Sequence, residues 1–269
     1  MTDTSDTTHE PGLEEIWLEH DGARLFAVQS GEGLPVVLLH GGLANHRACQ
    51  GFAAPLAQRF RLITPDLRAS GRSRFAGTLT WDQLADDVAA WLSKLGLARA
   101  VIGGVSAGAG CAVRVALRHP GVTAALVVLH PAYAGGDVGL TPAQQAAMAA
   151  MDAAGSRAVA EGVEVLLPLF DALSPPIRER ARAVAATYDP ASVAATTRFF
   201  ASGAQPFATA AELAAITAPT LLVPGIDPYH PAEVAERYRR HLTRCTVREA
   251  DAADFAAAIA GFIEQQQVR

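Results

Sequence analysis

The stretch "RAVIGGVSAGAGCAVRVALRH", residues 99–119, constrains this chain more than any other. Its first half is a short continuous apolar run, which is how a strand buried on both faces reads, and its second half carries apolar residues at helical spacing. Only Gly104-Val105-Ser106-Ala107-Gly108 marks the change. A strand that passes into a helix so abruptly belongs to a parallel α/β arrangement. A Gly-x-Ser-x-Gly at such a turn has a mechanical reason: the serine must adopt strained dihedrals, and the small flanking residues let neighbouring backbone pass. The Ser106 hydroxyl is thereby raised at the carboxyl end of the sheet, beside helix N–H groups that favour developing negative charge. A phosphate-binding glycine loop is a poorer reading, because no Lys-Ser/Thr ending follows.

The alternation continues along the chain. "EIWLEHDGARLFAVQS" gives two alternating runs around an Asp-Gly turn, a β-hairpin. "LPVVLLHGG" and "FRLITPDLRASGRS" read as buried parallel strands separated by a helix in "CQGFAAPLAQR", and "TWDQLADDVAAWLSKLGL" is a helix capped by Thr80. "TAALVVLHPA", "APTLLVPGIDP", "AEVAERYRRHL", "CTVREA" and "DFAAAIAGFIEQ" complete the pattern. It predicts an α/β fold: a mostly parallel twisted sheet with helices on both faces. Residues 134–205 break the pattern, with helical segments in "PAQQAAMAAMDAAG", "AVAEGVEVLLPLF" and "SPPIRERARAVAATY" and no convincing strand. They read as a helical lid inserted into a core formed by 16–133 and 206–269, after a flexible N-terminal tail at 1–15.

With 269 residues, half of them apolar, the chain can bury one large core. A formal net charge of −5 provides no basic footprint for nucleic acid or anionic membrane. Cys49, Cys111 and Cys245 are odd in number and lack CxxC pairing, suggesting neither a disulfide framework nor a zinc site. The start "MTDTSDTTHEPGLEE" has no apolar run of a secretory signal, and no window approaches the ~18–20 apolar residues of a membrane helix. A cytoplasmic monomer or homodimer is expected, with no metal or organic cofactor and a small-molecule substrate.

His40-Gly41-Gly42 after one strand, Asp66-Leu67-Arg68 with Gly71-Arg72-Ser73 after the next, the Gly-x-Ser-x-Gly turn and "PTLLVPGID" together resemble the α/β-hydrolase superfamily over residues 24–265. The resemblance implies Ser106 as nucleophile, Asp227 as the acid after a late strand, and an oxyanion hole from the backbone N–H of Ala107 and of Gly42 or Leu43. The alternative reading of Asp227, the lesser of the two, is an ordinary cap for the helix that begins near Pro231. The resemblance also exposes a gap. Members hold their histidine after the last strand, usually as Gly-His, whereas here "CTVREA" runs to "DAADFAAAI" with no histidine and no room for that loop.

Another histidine must then serve as base, or none does. Functional groups lie at the carboxyl ends of parallel strands. His9 and His20 fall in the tail and first hairpin, while His119 and His241 lie roughly 18 Å and 15 Å along their helices from that end. Of the rest, His40 belongs beside the oxyanion loop, and His46 reads as a solvated loop residue. His130 ends a strand expected between those of Ser106 and Asp227, and reads either as base or as a packed strand-end residue. His230, in "GIDPYHP", shares a proline-restricted loop with Asp227 and is the first choice, its alternative being a helix start. Asp66 and Arg68 are placed to pair and brace the oxyanion loop. Tyr133, Phe170, Tyr188, Phe199 and Phe200 read as lid core or as the wall of an apolar pocket.

The function implied is serine-dependent hydrolysis, or acyl transfer, of an ester, thioester or lactone of a small, mostly apolar molecule. A ligand-binding protein without catalysis, and a non-hydrolytic enzyme carrying out elimination or cyclisation in the same pocket, are the alternatives.

Overall fold

The computed structural model describes residues 12–171 and 175–268. Eight strands form one sheet in the order β1-β2-β4-β3-β5-β6-β7-β8. The hairpin strands β1 (Glu14–His20) and β2 (Ala23–Ser30) are antiparallel, and β2 is antiparallel to β4 (Arg61–Pro65). All later neighbours are parallel: β3 (Pro35–Leu39), β5 (Ala100–Val105), β6 (Thr123–Leu129), β7 (Thr220–Val223) and β8 (Cys245–Val247). The hairpin turns through Asp21 and Gly22, both at positive φ, as the handedness of a two-residue connection requires. Residues 1–11 of the expected tail lie outside the described residues, His9 among them, and Glu14 and Glu15 already belong to β1.

Both faces of the sheet are covered, which explains the unbroken apolar runs. Val36 and Leu38 of β3 join a core with α1 (His46–Ala53) and α8 (Phe255–Gln265), whereas Val37 and Leu39 join the core under α2 (Trp81–Lys94), α3 (Ala107–Arg118) and α7 (Ala232–His241). Thr80 caps α2 by accepting from the Gln83 amide. Three further helices, α4 (Pro142–Glu161), α5 (Pro175–Ala185) and α6 (Pro190–Ala201), stand between β6 and β7, with a 3-10 turn at Val163–Phe170. None of the described helices is long and apolar enough to cross a membrane.

Two expected boundaries are wrong for physical reasons. The first helix of the insertion does not stop at Gly155 but continues to Glu161, because Gly155 marks a close crossing: a Cβ there would lie 2.2 Å from Thr197 Oγ1 on α6. At the C-terminus β8 has three residues rather than six, so a seven-residue connection, 248–254, stands where no room was expected.

Asp66 and Arg68 do not pair. Arg68 is buried and bonds both carboxylate oxygens of Asp87, at 2.6 and 2.9 Å, and the carbonyls of His20 and Asp21, tying the hairpin to α2. Asp66 instead accepts from the amides of His46 and Arg72 and from the His46 ring, at 2.7, 2.7 and 2.8 Å. His46 is correspondingly buried as the first residue of α1, not solvated.

Candidate active site

The serine turn is built by steric necessity. Ser106 has φ 57° and ψ −114°, a region L residues rarely occupy. A Cβ on Gly104 would lie 2.4 Å from the Gly108 carbonyl carbon, and one on Gly108 would lie 2.2 Å from the Leu39 carbonyl oxygen. Glycine is therefore required on both sides of the serine. The Ser106 amide donates to Leu129 O at 3.0 Å, which fastens the turn to β6. Ala107 opens α3, so its N–H has no carbonyl of its own helix to bond.

The loop after β3 passes next to this turn: a Cβ on Gly41 would lie 3.5 Å from Ser106 Cβ. His40 is buried and holds the loop, its Nδ1–H donating to Gly41 O at 2.8 Å and its Nε2 accepting from the Leu67 amide at 3.0 Å. With both ring nitrogens committed, it is not free to serve as a base, and burial lowers its pKa against the opposing influence of Asp66. Gly42 is exposed and backed by the Phe200 ring, and Leu43 follows at φ 49°. Tyr188 donates its hydroxyl to the Leu43 carbonyl.

The loop from β7 to α7 folds back on itself. Asp227 Oδ1 accepts from the amides of Tyr229 and His230 at 2.8 and 3.0 Å, and the two ends form a single antiparallel bridge, Asp227 to His230. Gly225 permits the approach, since a Cβ there would lie 2.3 Å from His230 Cβ. The turn sets the imidazole against the carboxylate, Nδ1 lying 2.8 Å from Asp227 Oδ2 and 3.0 Å from Oδ1. Nε2 lies 2.8 Å from Ser106 Oγ. A carboxylate can only accept, so Nδ1 carries the proton and Nε2 is left to accept from the serine hydroxyl. Burial pushes the Asp227 carboxyl up, but the His230 hydrogen bond and charge with the two amides outweigh it and hold the carboxyl below its ordinary range. The Asp227 side chain is 46% exposed and that of His230 18%, so the arrangement opens to solvent at its acidic end.

His130 lies next to this group without entering it. It follows β6 at φ 48°, its ring centroid 5.9 Å from that of His230 and 5.1 Å from that of Phe255. Burial and the neighbouring His230 lower its pKa. His20, His119 and His241 stand elsewhere, His119 on Asp86 at 2.6 Å and His241 on the Arg237 carbonyl at 2.9 Å.

The alpha/beta hydrolase fold family model matches residues 35–258. The chain belongs to the α/β-hydrolase fold family. A curated relative, the AB hydrolase superfamily protein YisY of Bacillus subtilis, is 37% identical over 107 residues, covering 39% of this chain and 40% of its own length. The chain thus spans about two fifths of that relative's length. Among solved structures, a thermophilic esterase from Thermogutta terrifontis superposes with a TM-score of 0.74 at 23% identity, over 94% of this chain and 97% of the other. The enol-lactonase from Burkholderia xenovorans LB400 also gives 0.74, at 20% identity, over 94% and 99%.

The aromatic residues expected at the lid take part in cores. Tyr133, Phe199 and Phe200 belong to the main core, and Phe170 and Tyr188 to a separate cluster of the insertion. From the insertion, two ties to these loops escaped sequence reasoning: the Tyr188 bond just described, and Gln144, a buried residue of α4 whose Nε2 donates to Ala132 O at 2.7 Å and Tyr229 O at 2.9 Å. The Thr141-x-x-Gln144 spacing signals a helix cap, which forms, but carries no trace of the long-range bonds. Among the described residues, no group of three or more His, Cys, Asp or Glu is arranged to hold a metal ion.

Proposed function

We propose that this chain is a serine-dependent hydrolase acting on an ester, thioester or lactone of a small, mostly apolar molecule. The observation that carries the reading is the 2.8 Å contact between Ser106 Oγ and His230 Nε2, with Nδ1 of the same ring on Asp227. Ser106 Oγ attacks the acyl carbon while His230 takes its proton, and Asp227 stabilises the imidazolium that forms. The tetrahedral oxyanion is received by the backbone N–H of Gly42 and Ala107, each such donor contributing on the order of 3 kcal/mol. Collapse passes the proton from His230 to the leaving oxygen or sulfur. Water then loses a proton to His230 and attacks the acyl-serine, releasing the acid; a second hydroxyl in place of water gives acyl transfer. The insertion at 134–205 acts as a lid, its apolar cluster reaching the site loop through Leu43. The esterase and enol-lactonase among the solved relatives support this substrate class.

A fluorophosphonate probe with mass mapping of the adduct tests the reading. Labelling of the wild type at Ser106 is expected, lost in Ser106→Ala and His230→Gln and kept in His130→Gln. A wild type that stays unlabelled and inert toward short-chain nitrophenyl esters and lactones sinks it, and leaves a ligand-binding or non-hydrolytic role.

A further inference from the structure

Both loops of the candidate site are held from outside by buried side chains of the insertion. Gln144 on α4 is 2% exposed, and its Nε2 donates to the carbonyl of Tyr229, the residue before His230. The same nitrogen donates to Ala132 O, two residues after His130 in sequence, so one amide group spans the connections that leave β6 and β7. On the other side Tyr188, 8% exposed, donates its hydroxyl to the carbonyl of Leu43, the residue after Gly42. Leu43 sits at φ 49°, and its peptide follows directly on the candidate oxyanion donor. Burial raises the Tyr188 phenol well above its ordinary range, so it remains a donor.

Resting on the reading above, we propose that Gln144 and Tyr188 are positioning residues through which the insertion aligns the site, Gln144 aiming the His230 loop at Ser106 and Tyr188 orienting the oxyanion loop. The base stands on a loop that begins at Pro224 and carries the exposed residues Ile226 and Tyr229. Its own bonds, between Asp227 and His230, set the shape of the turn but not its direction toward Ser106. A bond to a separate helix supplies that direction. The Leu43 conformation is one that side chains rarely adopt, and a hydrogen bond to its carbonyl limits rotation of the adjoining peptide.

The test uses the full chain and nitrophenyl ester turnover, with the far-downfield proton resonance of the His230 Nδ1–H as a second readout. Gln144→Glu keeps the acceptor that bonds the Thr141 amide in the helix cap, and sets a carboxylate oxygen in place of the NH2 against the Ala132 and Tyr229 carbonyls. Gln144→Met removes the donors without adding charge, and Tyr188→Phe removes only the hydroxyl. A fall in kcat of about tenfold to a hundredfold with KM within about threefold is expected for each, the range that small misplacements of reacting groups produce. The Nδ1–H resonance should shift or broaden in the Gln144 variants and stay in place in Tyr188→Phe, while Tyr188→Phe should lose affinity for a boronic acid that forms a tetrahedral serine adduct. Thr197→Val, which removes a hydroxyl bonded to Asp152 between α6 and α4 inside the insertion, is the control and should leave kcat unchanged. Retention of kcat within about twofold by Gln144→Met or Tyr188→Phe overturns the assignment of that residue, and an equal loss in Thr197→Val overturns the positioning account in favour of general loosening. A wild type that neither turns over esters nor takes the probe overturns the hydrolase reading itself, a result distinct from a labelled wild type with indifferent variants.

Discussion

Asp227 uses one carboxylate for two purposes. Oδ1 closes the turn by accepting the amides of Tyr229 and His230, while Oδ2 holds the imidazole; the expected helix cap does not form, since α7 starts after Pro231 with no side-chain cap. Asp227→Asn separates the two purposes. The amide keeps an oxygen for the turn but can present its NH2 to Nδ1, which moves the ring proton to Nε2 and removes the acceptor for Ser106. A loss in kcat of on the order of 10²- to 10⁴-fold is expected, with little change in melting temperature. Steady-state kinetics beside a thermal melt checks it, and an equal loss of stability would mean that the turn had failed instead. At this scale Ser106, Asp227 and His230 could be singled out in sequence because each follows a legible strand, and the structure brings their side chains into contact. Sequence missed His46 on Asp66, and the Gln144 and Tyr188 bonds, because their partners lie 20, 85 and 145 residues away and two of the three acceptors are backbone carbonyls that any residue could supply.

Among elements, the β5–α3 corner is the most tightly determined. Gly108→Ala would drive a Cβ to within 2.2 Å of the Leu39 carbonyl, and neither the β3 backbone nor the first turn of α3 can retreat. A destabilisation on the order of 3 kcal/mol is expected from urea unfolding, whereas Gly121→Ala, where nothing lies within 4 Å, should be silent. Sheet elements were legible in sequence because two-sided burial leaves continuous apolar runs. Their ends were less so. β8 pairs three residues with β7, the Arg248 amide adds a last bond to Leu222 O, and nothing in "CTVREA" marks the point where the pairing stops.

For the molecule as a whole, acid stability follows from buried imidazoles. Burial holds His40 below its ordinary value of 6.5, so as pH falls below that value the unfolded chain binds a proton that the folded chain refuses, and stability declines until the folded pKa is passed. His130 contributes with the same sign. Asp66 acts in a lower window: burial opposes its ionisation, but His46 and the Arg72 amide prevail, and the stability it provides above its ordinary 3.8 is lost as pH falls through the lower folded value. Melting temperature should therefore drop from about pH 7 toward about pH 5, with a shallower slope in His40→Gln. Equal slopes would show that His40 carries no linked proton.

Sequence alone determined that this chain forms a doubly covered, mostly parallel sheet, with Ser106 raised at a strand-to-helix turn and a helical insertion before β7, because apolar period and glycine spacing are local properties. It also left one question open, since a missing histidine after β8 is compatible with a base on either of two other loops. That choice belonged to tertiary structure. The distance from Ser106 to an imidazole depends on how the β7 loop folds over the mouth of the sheet, and on packing between segments more than a hundred residues apart; only there does His230 meet the serine while His130 packs edge-on against Phe255.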